Sequence, residues 1–199
     1  MILSLPGFPI EHGYWKEGVK LNATMPPLVT TYLEMHSPDE LSPKRTAAER
    51  FEVREEKPNW VFNRDMYLAV GENWTWIDRR GWSDQQWKEY ADVPLLRTFG
   101  AYYDEVVAGY YELLGQPELN GDEEGVEIAY FGLLPQFIGR GLGGALLTSA
   151  IEKAWQSSPA PSRVWVHTCN RDHPGALANY QARGMKIYKI VDDGGKKEC

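Results

Sequence analysis

Two cysteines in 199 residues, Cys169 and Cys199, are too few for a disulfide framework and fit a reducing compartment. Basic residues are in deficit: 21 Lys and Arg against 28 Asp and Glu give a net charge of −7, with no lysine–arginine run. Nucleic acid and anionic membrane surfaces both call for a basic face, so neither is expected as the main partner. No apolar stretch approaches the ~20 residues that span a bilayer. The opening segment, MILSLPGFPIEHGYW, has no positive leader, and two prolines break its apolar run. It does not read as a signal peptide. Internal repeats and low-complexity segments are absent as well. The expectation is one cytoplasmic domain over residues 1–199, long enough to bury a core without staples.

What is present centres on Val126 to Trp155, VEIAYFGLLPQFIGRGLGGALLTSAIEKAW. Val126 to Leu134 is a strand-like apolar run holding one acid, Glu127. Pro135 and Gln136 end it, and the glycine-rich Gly139-Arg140-Gly141-Leu142-Gly143-Gly144 follows. Leu142, Leu146, Ala150 and Ala154 then lie on one helical stripe, with Leu147 and Ile151 beside it. Strand, glycine loop and helix together bind phosphate, because glycine permits close backbone approach and the first-turn N–H groups point at the anion. A kinase-type P-loop needs Gly-Lys-Ser/Thr, and Gly143-Gly144-Ala145 supplies neither lysine nor hydroxyl. A dinucleotide fold fits Gly139, Gly141 and Gly144 but needs an acid about 20 residues on. The next strand, Arg163 to Cys169, ends in His-Thr-Cys instead.

The loop resembles the acetyl-CoA-binding motif of the GNAT superfamily of N-acetyltransferases, Gln/Arg-x-x-Gly-x-Gly/Ala. Gln136 to Gly141 matches it literally. The register Ile138-Gly139-Arg140-Gly141-Leu142-Gly143 spaces proline, loop and helix as the family does and is preferred, with Ile138 where the family has Gln or Arg. Ala176-Leu-Ala-Asn-Tyr180-Gln-Ala-Arg-Gly-Met185 resembles the family's closing motif, Ala-x-x-x-Tyr-x-x-x-Gly-Phe. The resemblance covers Leu95 to Val191. It implies a single α/β domain, a mixed, largely antiparallel sheet of about 6–7 strands with helices on both faces. It implies acetyl-CoA as co-substrate, a small-molecule or peptide amine as acceptor, and a pyrophosphate site over Ile138, Gly139, Arg140, Gly141, Leu142, Gly143 and Gly144. It also implies that the central strand parts from its neighbour, so that backbone groups of Phe131 and Leu133 meet the pantetheine arm. Monomer and homodimer stay open.

Acyl transfer from a thioester to an amine needs a proton acceptor, a stabilised oxyanion, a proton donor for the thiolate, and two substrates held together. Glu127 is the candidate base: an acid inside an apolar strand, where desolvation makes a carboxylate a stronger proton acceptor. Its distance from the loop matches the general-base glutamate of the histone-acetyltransferase branch. A strand-end glutamate in a structural ion pair is the alternative, and His167 is the second candidate base. Tyr180 is the candidate acid, since the resemblance places that tyrosine near the coenzyme sulfur. His167, Cys169 and His173 lack a fourth ligand, so no metal is expected. A coenzyme A-binding regulatory module without turnover is the alternative function.

The remaining chain reads as an irregular arm over Met1 to Pro27, a strand over Leu28 to Met35, and a solvated connection or edge strand over Lys44 to Lys57. Asn59 caps a helix that Gly71 stops. The Trp-rich segment Asn73 to Trp82, with Trp87 on a short helix beyond, is either a lid on the core or the acceptor wall. The resemblance then implies that 28–94 carries the first strand and the acceptor-side helices, and 95–191 the acetyl-CoA-binding core. Leu95 to Tyr103 and Val106 to Leu114 form a hairpin about Asp104-Glu105. Gln116 to Gly125 is an acidic loop. Asp172-His-Pro174 opens the last helix, Gly184 ends it, Met185 to Val191 closes the sheet, and Gly194 to Cys199 frays.

Overall fold

A computed structural model of the chain describes residues 27–48, 50–74, 76–116 and 125–192. The sequence expectations for the arm over 1–26, for most of the acidic loop and for the C-terminal tail fall outside them. The order is β1 (Val29–Met35), β2 (Phe51–Glu55), α1 (Trp60–Val70), α2 (Asp84–Ala91), β3 (Leu96–Tyr103), β4 (Val106–Gln116), β5 (Gly125–Leu133), α3 (Gly143–Trp155), β6 (Val164–Cys169), α4 (Ala176–Ala182) and β7 (Lys186–Asp192). Among the described residues the strands make one seven-stranded sheet in the order β2-β3-β4-β5-β6-β1-β7. Every pairing is antiparallel except β5 with β6.

Local signals set many of the boundaries. Asp104 and Glu105 both take positive φ, 51° and 64°, the twist that a two-residue hairpin turn requires. Asn59 accepts from the Phe62 N–H and caps α1, and Ser83 caps α2 with Gln86 in a capping box. The last helix departs from expectation. It begins at Ala176, because Asp172 turns back to accept from Thr168 Oγ1 at 2.7 Å and from the Cys169 N–H at 3.1 Å. Asp172, His173 and Pro174 therefore belong to the connection before the helix. Gly184 ends it at φ +98°, where a Cβ would meet the Glu40 carbonyl oxygen at 2.0 Å.

Alternation along β4 and β5 divides the core. Leu146, Leu147, Ala150, Ile151 and Ala154 of α3 pack with Leu113, Val126, Ile128, Val164 and Val166 on one face. Met66 and Val70 of α1 pack with Tyr110 on the other, against Tyr130 and Trp76. The β4–β5 register runs from Leu113↔Ile128 to Glu112↔Tyr130, so Ala129 is an extra residue. This bulge reverses the parity of β5: Ile128 and Phe131 share the α3 face, whereas Glu127 and Tyr130 share the other.

β1 lies between β6 and β7 rather than beside β2. The chain from 36 to 50 therefore crosses α3 to reach the opposite edge. The Lys44 N–H donates to Thr148 Oγ1 at 2.9 Å, Arg45 grips Glu152 through both guanidinium nitrogens, and the Ser42 N–H donates to the Arg183 carbonyl at 3.0 Å. Among the described residues no helix is long and apolar enough to cross a membrane.

Leu33 is fully buried in the larger core, so Leu33→Ala should cost about 2–5 kcal/mol in a denaturant titration. A loss below about 1 kcal/mol would mean that β1 is not integral to that core.

Candidate functional site

β5 hydrogen-bonds with β6 only at Val126↔Val164 and Glu127↔Trp165; beyond them the two strands part. From Ile128 to Leu133 the β6-facing edge of β5 has no strand partner among the described residues, although its other edge stays paired with β4 to Leu133. Backbone polar groups left this way need a partner from outside the sheet. A cleft of about 660 Å³ occupies the opening, lined along β5 from Glu127 to Leu133.

At one end stands the glycine loop. Gly139 and Gly141 take φ of +81° and +76°, and among the described residues nothing lies within 4 Å of where their Cβ atoms would be. The loop is thus an open cradle in a backbone form that glycine adopts without strain. Leu142 gives α3 no side-chain cap, so the first-turn N–H groups remain available to an anion. Ile138, Gly139, Gly141, Gly143 and Gly144 line the cleft. Arg140 and Leu142 do not: the guanidinium sits over the Phe137 ring at 5.0 Å, and Leu142 is buried in the small core beside Phe137. Two cations escaped the sequence reading. A Cβ on Gly144 would lie 2.6 Å from both Arg183 Nη1 and Lys44 Cδ, so these side chains cross the helix start. Arg183 is inside the Tyr180 motif, but nothing in the sequence ties Lys44 to the loop.

At mid-cleft, Glu127 and His167 come together: Glu127 Oε1 lies 3.2 Å from His167 Nδ1, without the alignment of a hydrogen bond. Glu127 Oε2 accepts from Gln116 Nε2 at 3.0 Å. Tyr180 lines the cleft from α4, packed on the Phe131 ring at 6.0 Å. Burial pushes its hydroxyl well above the usual phenol range, so it stays a proton donor. Asn179 Nδ2 donates to the Gly143 carbonyl at 3.3 Å and ties α4 to the loop.

The far wing is built by the Trp-rich segment, which divides its labour. Trp87 is buried, with Trp82 against it at 5.2 Å, and closes the core; Trp74 and Trp76 line the cleft. Trp76 Nε1 donates to Asp172 Oδ1 at 3.3 Å, joining the wing to the β6–α4 connection. Trp74 stacks edge-on with His173 at 5.2 Å. The segment is pinned from beneath. Arg80 donates to the Trp76 and Gly71 carbonyls, and the Arg79 guanidinium lies over the rings of Trp82, Tyr90 and Tyr130. Tyr67 and Tyr130 donate to the two oxygens of Asp78 at 2.6 and 3.2 Å. Below sits Glu112, fully enclosed, accepting from Asn63 Nδ2 at 2.8 Å and from the Tyr90 hydroxyl. Burial raises the Glu112 pKa, while those two donors and the Arg79 charge pull the other way.

Among the described residues no group of three or more His, Cys, Asp or Glu side chains is placed to hold a metal ion. Cys169 carries no free thiol.

Residues 49–185 match the family model described as acetyltransferase (GNAT) family. No curated protein matches the chain. Solved structures similar in fold include a GCN5-related N-acetyltransferase from Sphaerobacter thermophilus, 20% identical with a TM-score of 0.58. The match covers 83% of this chain and 50% of that one, so this chain spans half its length. An aminoglycoside acetyltransferase from an uncultured soil metagenomic sample is 13% identical, covered to 96% by 72% of this chain, with a TM-score of 0.57. A GCN5-related N-acetyltransferase from Kribbella flavida is 15% identical, with 85% and 61% coverage and a TM-score of 0.52. At these identities the likeness is one of fold.

A carboxyl whose folded pKa is raised holds its proton more tightly folded than unfolded. The stability it contributes is full below the ordinary glutamate range, about 4.3, and is lost as pH rises toward the folded value. Glu112→Gln should therefore lose less stability than wild type as pH rises above that range, in paired denaturant titrations from pH 4 to 8. Parallel curves for the two proteins would refute the raised pKa.

Proposed function

Since the chain belongs to the acetyltransferase (GNAT) family, we propose that it moves the acetyl group of acetyl-CoA directly to an amine bound in the same cleft. The observation that carries this reading is the continuity of that cleft. It runs from the uncapped start of α3, along the unpaired edge of β5, to the aromatic wing. The loop fits a pyrophosphate, with the N–H groups of Gly143 and Gly144 turned to it. The free backbone of Phe131 and Leu133 fits a pantetheine arm, which pairs in the manner of a strand. Ile138 adds only apolar contact, and Lys44 and Arg183 add positive charge beside the loop.

When bound, the coenzyme supplies the activated acyl group. The protein's own residues do the rest. Glu127 and His167 take a proton from the amine, and Tyr180 holds one at its hydroxyl for the departing sulfur. Trp74, Trp76 and Tyr130 wall the acceptor's carbon skeleton, and the Asp172 carboxylate favours an acceptor that carries positive charge, Asp78 being paired with Arg79 at 3.5 Å. A small amine suits this enclosed wing, and a cytoplasmic setting suits acetyl-CoA.

Acetyl-CoA should raise the melting temperature in a concentration-dependent way, with NAD and ATP doing little. A shift with NAD and none with acetyl-CoA would sink the reading. Thiol release over a panel of amines then tests turnover; stabilisation by acetyl-CoA with no thiol release from any amine would favour the regulatory module.

Gly141→Val should weaken acetyl-CoA binding at least tenfold, because a β-branched side chain at positive φ distorts the cradle. Unchanged affinity in a folded variant would remove the loop from the site. Tyr180→Phe should keep acetyl-CoA affinity and slow turnover, with the defect shrinking for thioesters of more acidic thiols. An equal defect for all thioesters would deny Tyr180 the role of acid.

A further inference from the structure

We infer that His167, through Nε2, is the group that takes the amine's proton, that Glu127 stands behind it, and that Gln116 and Trp165 are positioning residues for this pair. The inference rests on the acetyl-transfer reading above. Trp165 and His167 are two apart on β6 and project from one face, and Glu127 is the β5 residue in register with Trp165.

The chain of contacts has a direction. An indole N–H can only donate, and Trp165 Nε1 donates to Gln116 Oε1 at 3.1 Å. That settles the orientation of the amide, so Gln116 presents Nε2 to Glu127 and donates to its Oε2 at 3.0 Å. The other carboxylate oxygen is left for His167 Nδ1, 3.2 Å away. Nδ1 is buried and has no aligned partner, and a small ring rotation completes that bond. Such bonds are commonly loose before substrate is present. A carboxylate facing Nδ1 holds the proton there and leaves Nε2 with the lone pair. Accessibility agrees with this order: the His167 side chain is 32% exposed and that of Glu127 12%. The rings of Tyr32 and Trp165, centred 5.7 and 6.1 Å from the imidazole, hold its plane.

In the reaction the amine nitrogen forms its bond to the acyl carbon as the carbon–sulfur bond breaks. The proton lost by nitrogen goes to His167 Nε2, where Glu127 stabilises the imidazolium through Nδ1–H. The proton gained by sulfur comes from Tyr180. Solvent then carries one proton from the imidazolium to the tyrosinate, and both groups return to their starting state.

The test is steady-state kinetics on folded variants, with the amine on which wild type is fastest. His167→Gln should lower kcat by about 10²–10⁴-fold, and more than Glu127→Gln does; His167→Asn serves if the first variant fails to fold. Gln116→Leu and Trp165→Phe should lower kcat several-fold with KM for acetyl-CoA unchanged. Combining Gln116→Leu with Glu127→Gln should add little to Glu127→Gln alone, as for residues acting through one group. A Glu127→Gln loss equal to or larger than that of His167→Gln would make the carboxylate the direct base and overturn the order. Losses that multiply in the double variant would overturn the positioning role of Gln116. A wild type that binds acetyl-CoA and turns over no amine would fail the activity itself, which is distinguishable from either result.

Discussion

One missing ladder organises this protein. After Glu127 and Trp165, β5 and β6 stop exchanging hydrogen bonds, and a strand in the middle of a sheet keeps one edge without a neighbour. Burying such an edge dry would cost on the order of 1–3 kcal/mol for each unmatched backbone group, so it has to face either water or a ligand able to pair with it. The bulge at Ala129 sits at the start of this opening and sets which side chains point where. It keeps Glu127 on the face of the aromatic wing while Phe131 and Leu133 return to the face of α3. The cleft, the loop at one end and the aromatic wing at the other all follow from that separation.

The two ends of the cleft are held in different ways. At the loop the backbone forms the surface: Gly139 and Gly141 stand open and the N–H groups are uncapped, while the Lys44 and Arg183 side chains cross at Gly144. At the wing, side chains are fixed by side chains. The Arg79 guanidinium is surrounded by three rings, Arg80 ties the segment to the end of α1, and Trp76 reaches across to Asp172. An irregular segment with so many anchors behaves as a wall. The buried Asn63–Glu112–Tyr90 network beneath it gives the wall a polar floor whose members are hydrogen-bonded.

Legibility in the sequence followed the range of each signal. The capping residue Asn59, the Asp104-Glu105 turn, the stripe of α3 and the glycine loop act within a few residues, and the structure has them where the pattern put them. What escaped depends on residues far apart. The start of α4 moved to Ala176 because Asp172 was taken by Thr168, and composition alone cannot tell a helix-opening aspartate from one that caps a strand end. The sequence pattern offers Glu127 and His167 as alternative bases, yet they lie on neighbouring strands with their polar atoms 3.2 Å apart. The place of β1 inside the sheet, and the Lys44 side chain over Gly144, depend on a crossing that no local pattern records.

That crossing has a consequence for biosynthesis. β1 leaves the ribosome well before its two neighbours, β6 and β7: Thr30 pairs with Cys169 and with Val191. Until both have emerged, Leu33 and Met35 have no lattice to enter, and the strand waits while β2 to β5 are made. The β2–β5 half can assemble earlier as a run of antiparallel neighbours, each paired with the next in the chain. Closure of the molecule is thus a late event in which the two ends of the sheet sequence meet, and the same event brings Lys44 and Arg183 to the start of α3.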